Sequence, residues 1–214
     1  MWRTFLRIYR MIFLRFRLGV NLKGTGMRAD AARRREAIIA HARHLFAQRG
    51  GDVALETVAA ASGVGIATLY RNFPSRDELV RAVVQDTVEG ILEAADEARA
   101  GLETNAAASW EQLLSHLMSM ELGALTDGLA LQAGAARDLD ATPLAQVQRP
   151  AVEALDQVLA ALKTQGAVRQ DLTALEVIVA VATITRPQIP PIREAAPRVQ
   201  AQVAQAYLLW SRTS

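Results

Sequence analysis

Cysteine is absent from this 214-residue chain, which excludes disulfides, zinc fingers and thiol catalysis and is compatible with a reducing cytoplasm. Histidine is scarce, with only His41, His44 and His116. His41 and His44 are three residues apart on a helical pattern, but no third ligand accompanies them, so solvated or core histidines are expected and no metal centre. Lysine is nearly missing, at two against 22 arginines, a bias that points to a GC-rich genome more than to chemistry. Neither a GxSxG nucleophile elbow nor a P-loop occurs, and Gly63-x-Gly65 follows no strand pattern. Asp138 and Asp140 read as solvent-exposed turn acids. No apolar run is long enough to cross a bilayer. These absences leave no catalytic residue, cofactor or metal to assign, and the chain is expected not to be an enzyme.

What is present is helical periodicity. At 51% hydrophobic, the chain can bury a sizeable core in one or two domains. The most informative stretch runs from Ala54 to Phe73. Leu55, Val58 and Ala59 make one apolar stripe at helical spacing, and Leu69 and Phe73 make another. Between them, Ser62-Gly63-Val64-Gly65 places a glycine directly after a short helix, where it supplies the left-handed conformation that ends the helix and redirects the chain. Ala59 is small where two steeply crossed helices nearly touch, and Val64 plugs the corner. The second helix begins near Ile66 and carries Thr68, Tyr70, Arg71 and Asn72 outward. Hydroxyl, phenol, guanidinium and amide groups are the donors and acceptors that bond phosphates and base edges. The form is the one that lays a helix in the DNA major groove.

The flanks sharpen this. A preceding helix carries Ile38, Ile39, Ala42, Leu45 and Phe46 on one face, with Gln48-Arg49-Gly50-Gly51 as its stop. After Pro74, Ser75-Arg-Asp-Glu78 is a capping box at the start of the next helix. Taken together, Leu45-Phe46, Thr57-Val58-Ala59, Gly63-Val64, Thr68-Leu69-Tyr70, Phe73, Ser75-Arg76 and Leu79 closely resemble the DNA-binding domain of the TetR family of bacterial repressors, over about Arg33 to Val84. The family usually has Ser or Thr where Ala54 stands and often Ser where Gly65 stands. Losing such a cap costs roughly 1 kcal/mol, though glycine costs only a few tenths. It often has Lys at the position of Arg76, which keeps the charge.

The resemblance implies an all-α fold. A three-helix helix-turn-helix DNA-binding domain covers residues 32–91, with its motif at 54–73, and a helical-bundle domain for ligand binding and dimerisation covers 92–214. It also implies roles. Tyr70, Thr68 and Arg76 are expected on phosphates, while Arg71 and Asn72 reach base edges, Arg preferring guanine and Asn adenine by bidentate geometry. Gly65 opens the reading helix, and Ile66 and Ala67 sit against thymine methyls. Arg28, Arg33, Arg34 and Arg35 lie at or just before the first helix, and the run is either a phosphate grip, with Arg34 and Arg35 as its members, or a solvated helix start.

Charge is unevenly spread. Residues 1–26 hold six basic side chains and no acid, whereas residues 91–214 hold nine basic and fourteen acidic, so the C-terminal half is a poor nucleic-acid surface. In the first segment Trp2, Phe5, Leu6, Tyr9, Ile12, Phe13 and Phe16 fall on one side of a helix, with Arg3, Arg7, Arg10 and Arg17 opposite. Such a cationic amphipathic helix suits an anionic membrane surface, and a membrane-surface adaptor is the alternative function that rests on it. Arginine recurs too often for a transmembrane span, so stable membrane insertion is not expected. The favoured reading is that the native protein starts at Met27, directly before the charged arm.

The C-terminal half reads as helices throughout. Helix four is expected from Arg76 to about Ala100. A polar break follows at Gly101–Ala108, then Ser109-Trp-Glu-Gln112 as a second capping box. The next helix carries Trp110, Leu113, Leu114, Leu117, Met118 and Leu122. Thr126-Asp127-Gly128 is a break before a short apolar helix to Ala136. Thr142-Pro143 opens a helix to about Lys163, ended by Gln165-Gly166. Thr173 and Glu176 cap a helix from Leu175 to Thr185 that is apolar nearly all round, so it must be covered on more than one side. Pro187-Gln-Ile-Pro-Pro191 stops it, and a last helix runs from Pro197 to about Arg212.

The run Gly166-Ala-Val-Arg-Gln-Asp-Leu-Thr173 is similar to those of the SbtR-like C-terminal domains within the same family. An all-apolar penultimate helix and an amphipathic final one are what an isologous homodimer interface requires. A dimer would set two reading helices in successive major grooves, about 34–36 Å apart, on a palindromic double-stranded operator. By resemblance, a small lipophilic effector enters the helical core, with Trp110, Leu113, Leu117, Met118 and Met120 as candidate walls. Ordinary core packing is the other reading of each of the five. The implied location is cytoplasmic and nucleoid-associated.

Overall fold

The computed structural model describes residues 26–49, 53–120, 122–123 and 143–212. Eight helices are bounded within them and no strand. They are α1 (Gly26–Arg49), α2 (Leu55–Ala61), α3 (Ile66–Asn72), α4 (Arg76–Ser119), α5 (Pro143–Thr164), α6 (Ala174–Ile184), α7 (Pro190–Ala195) and α8 (Val199–Ser211). The amphipathic segment ahead of α1, the Gly50-Gly51 stop, the Thr126–Gly128 break, the short helix to Ala136 and the Asp138/Asp140 turn lie outside the described residues. The chain divides into two compact units between Ala37 and Ile38. In the first unit the start of α1 is charged. Asp30 accepts from the Arg33 guanidinium, and Arg34 Nε donates to the Asp30 carbonyl at 2.9 Å.

The second unit is built on one apolar core. Ile38, Ile39, Ala42, Leu45 and Phe46 of α1 are buried together with Leu55, Val58 and Ala59 of α2, Leu69 of α3 and Phe73. The turn between α2 and α3 has the form that glycine was expected to give. Gly63 takes φ +67°, its N–H donates to the Ala60 carbonyl at 3.1 Å, and Val64 N–H donates to the Ala59 carbonyl at 3.0 Å. Those two bonds satisfy carbonyls that a helix end otherwise leaves bare, and only glycine enters this conformation without a Cβ penalty. Gly166 repeats the arrangement at the end of α5, with φ +66° and the corresponding bonds to the Lys163 and Leu162 carbonyls. Neither Ala54 nor Gly65 makes a side-chain cap bond at the starts of α2 and α3. Burial of Val53, Leu55 and Leu69 holds these two short helices instead.

Ser75 caps α4, its hydroxyl accepting from Glu78 N–H at 3.2 Å. Helix then continues through the stretch expected to be a polar break, with one interruption at Asn105 (φ −161°, ψ 96°). Asn105 Oδ1 accepts from Ala108 N–H at 3.0 Å, an N-cap bond to the third residue of the helix that follows. The expected cap at Ser109 is therefore corrected: the start lies one turn earlier, and Ser109 is buried inside the helix. At Asn105 the chain doubles back. A Cβ at Gly101 would lie 2.5 Å from Ser109 Oγ, so the two arms touch there and a side chain at 101 would require the Ser109 hydroxyl to move.

α5 packs along α4 through Ala151, Leu155, Val158, Leu159 and Leu162, and α6 packs on both. Thr173 and Glu176 form the expected capping box at α6, the Thr173 hydroxyl accepting from Glu176 N–H at 3.2 Å and Thr173 N–H donating to Glu176 Oε2 at 2.9 Å. Sequence reading treated Pro187–Pro191 only as a stop, but Pro190 occupies the first turn of α7, where its missing N–H costs nothing. The end of α8 is stapled to the core. Trp110 Nε1 donates to Ser211 Oγ at 2.8 Å, Arg169 N–H donates to the Ser211 carbonyl at 3.0 Å, and Arg212 pairs with Glu111 at 2.7 Å.

Candidate nucleic-acid interface

α3 is amphipathic within two turns. Leu69 is fully buried and Phe73, just past the helix end, is 1% exposed, while on the adjoining flank Ile66 is 37% and Tyr70 46% exposed. Gly65, Ala67 and Arg71 are exposed as well, and Thr68 and Asn72 are half-buried. The buried side fixes the rotation of the helix, so the same set of side chains always faces solvent. Among the described residues the other large exposed apolar side chains all lie within residues 175–210, which makes Ile66 and Tyr70 conspicuous.

The polar side chains of α3 bond to their own helix. Arg71 Nε donates to the Ala67 carbonyl at 3.3 Å, and its Nη2 donates to Thr68 Oγ1 at 3.1 Å. Asn72 Nδ2 donates to the Thr68 carbonyl at 2.8 Å. Sequence reading placed these groups outward but missed the bonds, although the spacings of three and four residues were the available signal. Arg76 is half-buried, and its Nη2 donates to the Val53 carbonyl at 2.5 Å, clasping the chain just before α2. A second unforeseen link joins α1 to α4, where Arg43 Nη1 meets Asp86 Oδ2 at 2.9 Å. Arg34 and Arg35 are exposed on the part of α1 that belongs to the first unit. The structure thus brings Gly65, Ile66, Ala67, Thr68, Tyr70, Arg71 and Asn72 onto one short element, and ties Arg76 to the chain ahead of α2.

Of the residues expected to line a ligand pocket, Trp110, Leu113, Leu117 and Met120 are buried core members and Met118 is half-buried. A groove of about 730 Å³ runs between the two arms of α4. Among the five, only Leu113 lines it, beside Glu97, Glu111, Gln112, Ser115 and His116. His116 Nδ1 stands 3.8 Å from Glu97 Oε2 across it. Among the described residues no group of three or more His, Asp or Glu is arranged to hold a metal ion, and His44 is engaged with Gln48 Nε2 at 2.7 Å. No described helix is long and apolar enough to cross a membrane.

The far end of the chain presents an apolar face. Leu175 (64% exposed) and Val179 of α6 are open to solvent, as are Val199, Val203, Leu209 and Trp210 of α8. The Tyr207 hydroxyl beside them is buried without a hydrogen-bond partner, and burial, with a smaller push from the Glu176 charge, raises its pKa to about 12.

The sequence profile described as bacterial regulatory proteins of the tetR family matches residues 38–83. A TetR transcription regulatory protein from Mycobacterium vanbaalenii is 30% identical, with 84% of this chain and 98% of that one covered and a TM-score of 0.52. A TetR transcriptional regulator from Streptomyces coelicolor is 24% identical, covering 84% and 99% at a TM-score of 0.57. AibR, solved with isovaleryl coenzyme A and operator DNA, shares the fold at 16% identity and a TM-score of 0.51, covering 84% and 98%. No curated protein matches the chain.

Proposed function

Because the chain belongs to the TetR family of bacterial regulatory proteins and is thereby a DNA-binding transcriptional regulator, we propose that it acts as a homodimeric, ligand-responsive repressor of a palindromic operator. The observation that carries this reading is the division of α3, with Leu69 and Phe73 locked in the core and Tyr70 and Arg71 held in solvent. In the proposed complex Tyr70 bonds phosphate, Arg71 and Asn72 read base edges, and Ile66 and Ala67 meet thymine methyls beside Gly65. Arg76 adds positive charge near the backbone while it holds the loop ahead of α2. Arg34 and Arg35 add phosphate contacts from the start of α1.

The open apolar faces of α6 and α8 support the homodimer. A run of Leu, Val and Trp side chains left in water costs free energy that a second copy removes. On this reading residues 32–91 read DNA, and residues 92–214 dimerise and bind the effector. A small lipophilic effector acts by binding more tightly to the arrangement that does not fit DNA, and reciprocity then requires operator DNA to weaken effector binding by the same factor. AibR supports the pairing of the two ligands on one fold. The protein works where the chromosome is, in the cytoplasm at the nucleoid.

Mobility-shift titration against the DNA upstream of its own gene tests the reading. Binding that falls steeply with salt and maps to an inverted repeat is expected. No shift of any fragment at low ionic strength would remove it.

A further inference from the structure

Both side chains assigned to base edges hang on one residue. The Thr68 hydroxyl accepts from Arg71 Nη2 at 3.1 Å, and the Thr68 carbonyl accepts from Asn72 Nδ2 at 2.8 Å. A guanidinium has two donor edges useful for paired bonds: a side edge made by Nε and Nη2, and an end edge made by Nη1 and Nη2. In this structure Nε lies 3.3 Å from the Ala67 carbonyl and Nη2 lies on Thr68, so the side edge is turned onto α3 itself. Nη1, on the end edge, makes no hydrogen bond among the described residues, and Arg71 is exposed.

We propose that Thr68 is a positioning residue for Arg71, and that its hydroxyl, by holding the side edge of the guanidinium against α3, aims the end edge at O6 and N7 of a guanine. The proposal rests on the DNA-binding reading and goes beyond it, since Thr68 then sets sequence preference through Arg71 instead of serving only as a phosphate contact. An arginine aimed before docking loses less side-chain freedom on binding, and that saving falls on the one base for which two parallel bonds form. Asn72 is fastened to the Thr68 backbone, so changing the Thr68 side chain leaves Asn72 in place. The effect of the hydroxyl on sequence preference is therefore confined to one base pair of each half-site.

The test uses the full-length protein and an operator recovered from random duplexes by the wild type, with single base pairs then varied in turn. The position where Arg71→Ala loses its preference marks the guanine. At that position Thr68→Val, which keeps the shape and branching of the side chain, should reduce the preference about two- to tenfold, the range for one side chain left unordered before binding. Thr68→Ser should restore it. In the Arg71→Ala background Thr68→Val should change nothing further there, and preference at the base read by Asn72 should hold throughout. A uniform loss of affinity on every duplex, with guanine preference intact, would overturn the role of Thr68 while leaving DNA binding standing. So would an equal loss at the Asn72 position. Failure of the wild type to enrich any duplex would overturn the DNA-binding reading itself.

Discussion

Replacing Val179 with aspartate puts the proposed dimer to its most direct trial. Val179 lies on α6 and is 54% exposed in the single chain, so little of the protomer's own packing is at stake. Surface substitutions of that kind change protomer stability by about 0.5 kcal/mol or less. In a twofold interface the same residue is lost twice. Fully burying a valine is worth roughly 1.5–3 kcal/mol, and with half of that burial completed on dimerisation the loss is about 1 kcal/mol per copy and about 2 kcal/mol per dimer. Two unpaired carboxylates desolvated in the same contact add at least as much again. The sum, about 4 kcal/mol, weakens the dimer roughly a thousandfold. Val179→Ala, which lacks the charge, should weaken it about thirtyfold. Sedimentation velocity across nanomolar to micromolar protein reads both, and circular dichroism confirms that helix content is kept. Binding to a full palindrome should fall with the dimer while binding to a half-site duplex stays. An aspartate variant that remains a dimer with unchanged dissociation would refute the assignment of α6 to the interface.

Three further outcomes follow from particular contacts. Arg76→Ala removes the donor to the Val53 carbonyl and should lower stability by about 1–2 kcal/mol in thermal melts, because bonds from charged donors outweigh neutral ones. The same variant should weaken every DNA site alike and flatten the salt dependence by about one unit, in contrast to Arg71→Ala, which should change sequence preference. Asn105→Ala removes the cap between the arms of α4 and should cost about 1 kcal/mol, whereas Asn105→Asp should keep it, as chemical denaturation will show. Tyr207 is held protonated up to about pH 12 by burial, while in the unfolded chain it ionises near pH 10, so its contribution to stability is present below pH 10 and is lost as pH rises toward 12. Tyr207→Phe should show a shallower loss across that window, and at neutral pH it should be neutral or stabilising, since the hydroxyl it removes has no partner.

The reading unit was legible residue by residue because its signals are local. A glycine after seven helical residues, a serine three positions before a glutamate, and stripes at helical spacing each depend on neighbours within one or two turns. Gly63 and the capping box at Thr173 took the forms those rules predict. The start of the helix that follows the turn in α4 was misplaced for a related reason. Both Asn105 and Ser109 suit a cap; in the folded chain Asn105 takes that role, while Ser109 is buried against Gly101, a residue it meets only after the arms fold together. Pro190 was read as a terminator because proline ends one helix and starts another by the same missing N–H.

By its pattern of apolar residues and caps, the chain alone determined that it is helical, where most of its helices begin, and which of them carries Tyr70, Arg71 and Asn72. It could not decide how those side chains are held, that Arg76 reaches back 23 residues to the Val53 carbonyl, or that Trp110 is tied to Ser211 near the end of the last helix. Nor could it say which flank of the uniformly apolar α6 would be covered. Periodicity marks a face as apolar through contacts between neighbours in sequence. Whether that face is buried depends on segments far away along the chain, and the packed structure covers Val177 and Val181 while leaving Leu175 and Val179 to water.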